Sequence, residues 1–82
     1  MKPKTIHDSS YSVLISLLKE KRESKGFRQI DLAEKLGVDQ TWLSKVETSE
    51  RRLDLIELRM ICIALGIPLV DFIQEFEERV RS

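Results

Sequence analysis

Eighty-two residues, 34% charged and 41% hydrophobic, make one small domain with a modest core, and a single cysteine excludes an internal disulfide. Only three Gly and two Pro interrupt the chain and no run alternates apolar and polar residues cleanly, which favours helices over sheet. Formal net charge is zero, yet residues 1–52 carry +3 and residues 53–82 carry −3, so one side of the molecule can turn toward phosphate.

Residues 1–8 read as a flexible N-terminal arm holding Lys2 and Lys4, and residues 9–82 as the folded domain. Asp8, Ser9 or Ser10 can cap a first helix that runs to about Lys25 and ends at Gly26. Tyr11, Leu14, Ile15 and Leu18 form its apolar stripe, while Val13 and Leu17 lie on another side, so this helix is expected to touch two neighbours. Helix two spans about Gln29 to Leu36 with Ile30, Leu32, Ala33 and Leu36 inward, and Gly37 stops it. Ala33 is small enough for the next helix to cross closely. Asp39 caps helix three, about Gln40 to Thr48, with Leu43 and Val46 inward.

Residues 49–53 form a polar loop. Asp54 and Glu57 then have capping-box spacing at the start of helix four, with Asp in place of Ser or Thr. Leu55, Leu58, Ile61, Cys62 and Leu65 recur at helical spacing until Gly66. Pro68 favours a fresh start, and helix five runs from about Leu69 to Arg79 with Leu69, Phe72, Ile73, Phe76 and Val80 on its apolar side.

The polar side of helix three carries Gln40, Thr41, Ser44 and Lys45, side chains of the length and chemistry to reach base edges in a DNA major groove. Gln can bind adenine through two hydrogen bonds, and Lys can bind guanine acceptors. Arg51 and Arg52 lie just past this helix, where they are placed to meet phosphate. Trp42 has two readings: packing at the edge of helix one or four, or covering a sugar-phosphate segment with its indole N–H donated to phosphate. Cys62 sits in an apolar run as a small buried thiol, with a redox switch as the alternative. Phe76 and Val80 are assigned to a two-fold dimer contact, because so late a helix in so small a domain has few neighbours to cover it.

Gly26-Phe27-x-Gln29-x-x-Leu32-Ala33-x-x-Leu36-Gly37-Val38, followed by Leu43-Ser44-Lys45-Val46-Glu47 and by Ala64-Leu65-Gly66-Ile67, resembles the Cro/CI-type phage-repressor class, the XRE family. The resemblance covers about residues 14 to 74. It implies an all-α, five-helix phage-repressor-like bundle whose helices two and three make the helix-turn-helix. It places Gln40, Thr41 and Lys45 on base-reading positions, Ser44 beside them, and Gln29 on a phosphate. Arg28 stands where a capping Asn, Ser or Thr is usual, which weakens the cap by about 1 kcal/mol and sets a cation beside the DNA backbone. Arg22 and Glu47 match a structural ion pair between helix one and the end of helix three. Ser49 stands where the family places Gly in a left-handed turn, a steric cost of order 1 kcal/mol.

The expected function is a sequence-specific DNA-binding transcriptional regulator, a repressor or autoregulator, that binds a palindromic operator on double-stranded DNA as a homodimer. The alternative is a protein-interaction adaptor or antitoxin-type module on the same fold, which the zero net charge and Asp39 and Glu50 flanking helix three favour. His7 beside Asp8 lacks a nucleophile or second acid, so no enzyme is expected. With one His and one Cys there is no metal-ligand spacing, and neither a cofactor nor a small-molecule ligand is expected. No secretory signal or membrane-length apolar run is present, which implies a cytoplasmic protein without a membrane partner.

Overall fold

The computed structural model describes residues 9–82. The arm assigned to residues 1–8, with Lys2, Lys4, His7 and Asp8, lies outside the described residues. Five helices follow one another: α1 Ser9–Ser24, α2 Gln29–Leu36, α3 Gln40–Glu47, α4 Leu55–Leu65 and α5 Leu69–Arg81. No strand occurs among the described residues, and no described helix is long and apolar enough to cross a membrane.

The start of α4 and the exits of α2 and α3 show their local reasons most directly. Asp54 accepts from the Glu57 N–H at 2.7 Å, and Glu57 accepts from the Asp54 N–H at 3.0 Å, so both arms of the α4 capping box are made. Arg28 has no acceptor to offer α2. The cap is instead half-built from the other direction, with Asp31 accepting the Arg28 N–H at 2.9 Å and its guanidinium at 3.0 Å. The expected Asp39 cap needs correction: Asp39 occupies the cap position of α3, but its side chain makes no cap hydrogen bond.

The exits share one geometry. At the end of α2, Gly37 takes φ 73° and the Val38 N–H returns to the Ala33 carbonyl at 3.0 Å. At the end of α3 the same bond runs from the Glu50 N–H to the Lys45 carbonyl at 2.9 Å, but Ser49 holds the left-handed position, at φ 66°. Its Cβ crowds the backbone at that angle. Ser49→Gly should therefore stabilise the fold by about 1 kcal/mol and raise Tm by roughly 4–8 °C in a domain of this size. A thermal melt showing no gain would mean that the serine is not strained there.

One core forms where the helices meet. Leu17, Leu18, Leu32, Leu43, Val46, Ile61 and Cys62 are fully buried and Phe72 nearly so. Burial of each large side chain contributes about 1.5–3 kcal/mol. As its two apolar sides require, α1 packs on both α3 and α5. In turn α2 packs on α3 and α4, and α5 closes over α4. Burial pushes the Cys62 thiol up to about 11, so at neutral pH it is a protonated packing group.

Two expected inward positions need correction. Ile30 is 43% exposed, because it lies about a third of a turn away from the side that Leu32, Ala33 and Leu36 define. Leu55 is 60% exposed; it opens α4 ahead of Leu58, the first residue of that helix to reach the core. Val80, near the end of α5, is 37% exposed. α5 is tied back to α1 by charge: Arg79 bridges Glu20 at 2.7 Å and Glu75 at 2.9 Å, and Lys21 reaches Glu75 at 2.8 Å. The Arg79 guanidinium holds the Glu20 carboxyl below the usual carboxylate range, and Lys21, with Arg79, does the same for Glu75.

Candidate nucleic-acid interface

The angle of α3 is set from beneath by one buried ion pair. The Arg22 side chain, 7% exposed, donates from Nε to Glu47 Oε2 at 2.7 Å and from Nη2 to Oε1 at 3.0 Å; the Glu47 side chain is 2% exposed. The remaining Nη1 donates to the Phe27 carbonyl at 2.7 Å, so α1, the turn before α2 and the end of α3 are joined at one guanidinium. Planar, two-pronged pairing of this kind is where arginine differs from lysine.

Glu47 has a second partner. The Gln29 amide donates to Glu47 Oε1 at 2.9 Å, and its own carbonyl oxygen accepts from the Gln40 amide at 3.5 Å. A line of hydrogen bonds therefore runs from the buried Arg22 through Glu47 and Gln29 to Gln40, the first residue of α3 and an exposed one. Spacing alone places Gln29 at a helix start; its amide's engagement with Glu47 depends on packing across eighteen residues of chain.

Gln40, Thr41, Ser44 and Lys45 line one shallow open depression, and the fifth residue lining it is Glu50. Ser44 is half-buried and the other four are exposed. The structure thus brings all four residues expected to read bases onto one surface, with Gln29 beside them.

The residues expected at phosphates are distributed differently. Arg28 is 78% exposed at the start of α2, paired with Asp31. Arg52 stacks its guanidinium over the Tyr11 ring at 4.0 Å, and the Tyr11 hydroxyl accepts from the Leu53 N–H at 3.2 Å. Arg51 is tied down: it pairs with Glu57 at 3.1 and 2.8 Å and lies over the Trp42 ring at 4.9 Å. That guanidinium holds the Glu57 carboxyl below the usual range. Trp42 is half-buried, packs against the core and borders an apolar hollow with Leu36, Val38, Met60 and Ile61. Of its two readings, packing at the α4 edge is the contact observed.

One residue was underread in the sequence and one feature was missed. Glu50, expected only to flank helix three, belongs to the depression. In addition, Ile56, Met60 and Ile63 form a second apolar stripe on the outer side of α4, exposed by 64, 49 and 60%. Their spacing of four and three is readable, but in so apolar a helix it is masked by the inner stripe. Of the pair expected at a dimer contact, Phe76 is half-buried against the core and Val80 keeps its partial exposure.

The helix-turn-helix family model matches residues 18–72, which includes the whole of α2, the turn and α3. An XRE-family like protein from Pseudomonas syringae pv. tomato is 39% identical, with 93% of each chain covered and a TM-score of 0.85. The wild-type restriction-modification controller protein C.Esp1396I is 28% identical over 92% of this chain and 99% of that one, with a TM-score of 0.83. No curated protein sequence matches significantly. Motif, helix order and full-length superposition agree: the chain belongs to the XRE-family helix-turn-helix proteins.

Proposed function

We propose that this DNA-binding transcription regulator acts as a repressor or autoregulator, binding a palindromic operator as a homodimer with α3 in the major groove. The observation that carries the reading is the shared open surface of Gln40, Thr41, Ser44 and Lys45, with Gln29 at its edge. These side chains offer both donors and acceptors, which base edges require. Arg28 and Arg52, outside the depression, supply backbone contacts, and Gln29 adds one with the amide N–H that Glu47 does not take. Arg51 and Trp42 brace the loop from behind, and Arg51 reaches a phosphate only by leaving Glu57. The full-length likeness to a restriction-modification controller protein supports that setting over a prophage repressor or an antitoxin.

Selection from random duplexes, followed by a salt titration on the selected site, tests the proposal. The expected result is a two-fold symmetric site with half-sites about 34 Å apart. Its affinity should fall steeply with salt, since each phosphate contact releases counterions. An unselected pool would favour the adaptor reading, which Glu50 within the depression supports.

A second copy of the chain is the occupant that a symmetric operator requires. We assign its contact to the outer stripe of α4, with Val80 and the rim of Phe76 at the margin. The stripe exposes three large apolar side chains, more than the α5 edge offers. Ile63→Lys should shift sedimentation from dimer to monomer, and Val80→Lys should weaken the dimer less. The reverse order would move the contact to α5, and a wild-type monomer at all concentrations would remove it.

A further inference from the structure

We infer that Glu50 determines specificity on the reading surface, accepting a hydrogen bond from the exocyclic amine of a cytosine in the major groove; this rests on the DNA-binding reading above. Its position is fixed by the turn that ends α3. The N–H groups of Glu50 and Arg51 both donate to the Lys45 carbonyl, at 2.9 and 3.1 Å, so Glu50 is anchored to the residue whose side chain shares its depression. The Thr48 hydroxyl donates to Glu50 Oε2 at 3.0 Å, which orients the carboxylate and leaves Oε1 open.

Among the described carboxylates without an ion pair, Glu50 is the one that lines the depression. Asp31, Glu47, Glu57, Glu20 and Glu75 each sit against an Arg or a Lys. Glu50 has no ion-pair partner among the described residues. A bare carboxylate on a surface that approaches phosphates weakens binding to every duplex by repulsion. It also discriminates, because it can only accept. Guanine and thymine present acceptors in the major groove and are repelled. Adenine offers an amine next to the N7 acceptor. Cytosine offers its N4 amine alone, so it is the base that a carboxylate fits.

The test is random-duplex selection with wild type, Glu50→Gln and Glu50→Asp, together with affinity for a mixed-sequence duplex at fixed salt. Wild type should prefer cytosine by roughly ten-fold at one position of each half-site. Glu50→Gln, which donates as well as accepts, should flatten that position and bind the mixed duplex several-fold tighter. Glu50→Asp keeps the charge but is one methylene short. It should flatten the same position and leave mixed-duplex affinity unchanged. If Glu50→Asp selects the same bases as wild type while Glu50→Gln only tightens every duplex, the carboxylate acts as a charge alone and the inference is overturned. A wild type that selects no site at all sinks the DNA-binding reading itself, a result distinct from a site that both variants reproduce.

Discussion

Replacing Glu47 with alanine destabilises the protein by about 3–5 kcal/mol, a large share of the roughly 5–15 kcal/mol by which domains hold together. The loss follows from what is left behind. Arg22 stays buried with both Glu47 hydrogen bonds gone and only the more distant Glu23 carboxylate, 3.8 Å from Nη2, left as an acid, and water reaches a 7%-exposed guanidinium poorly. Two other bonds go with it. Gln29 loses its acceptor, and the Gln29–Gln40 contact loses the anchor that orders it. Urea denaturation reads the stability loss directly, and duplex binding measured well below the melting temperature reads the second effect. The companion experiment replaces both partners, Arg22→Met with Glu47→Leu. A buried pair exchanged for apolar side chains of similar volume commonly keeps or regains stability. That double variant should recover most of the loss while binding DNA less well, since Gln29 has no carboxylate to hold it. A loss below about 1 kcal/mol for Glu47→Ala would place the pair among solvated surface bridges.

The same pair shows where sequence reading succeeds and where it stops. Helix limits were legible because they depend on local chemistry. Gly37 and Gly66 take the left-handed angle that stops a helix, and Asp54 with Glu57 closes a capping box within four residues. The C-terminal limit of α2, at Leu36, follows from such a signal. Side-chain burial was less legible, because periodicity counts apolar residues and not their neighbours. Ile30 and Leu55 are apolar at nearly the right spacing, yet no helix packs over them. On α4 the failure is larger: a helix apolar on both sides hides one stripe behind the other.

The reading residues of α3 were visible through the motif, since it places them on a helix whose opposite side holds Leu43 and Val46. Whether a polar group is still available was not visible. Gln29 and Arg51 both have the chemistry to meet a phosphate. One is held by Glu47 and the other by Glu57 and Trp42, partners fixed by how the helices dock. Glu50 was legible only as a charge flanking helix three. It belongs to a loop in sequence, and only the left-handed turn at Ser49 brings it back beside Lys45.

Lys45→Ala should cost about 1–3 kcal/mol at the selected operator and relax preference at one base position per half-site. At about 1.4 kcal/mol per decade, that is roughly a five- to hundred-fold loss. Arg52→Ala provides the control, because it also removes one cation but from a residue that does not line the depression. Its guanidinium stacks on the Tyr11 ring, whereas Lys45 lines the depression. It should weaken all duplexes alike and make the salt slope shallower by about one unit. The two variants change net charge equally, so a difference in base preference between them cannot come from charge alone. If Lys45→Ala binds every sequence proportionally weaker, as Arg52→Ala should, then Lys45 grips the backbone and the assignment of base reading to the C-terminal half of α3 is wrong. If it loses selectivity while keeping most of its affinity for mixed duplex, the depression bounded by Gln40, Thr41, Ser44 and Lys45 is the surface that reads sequence.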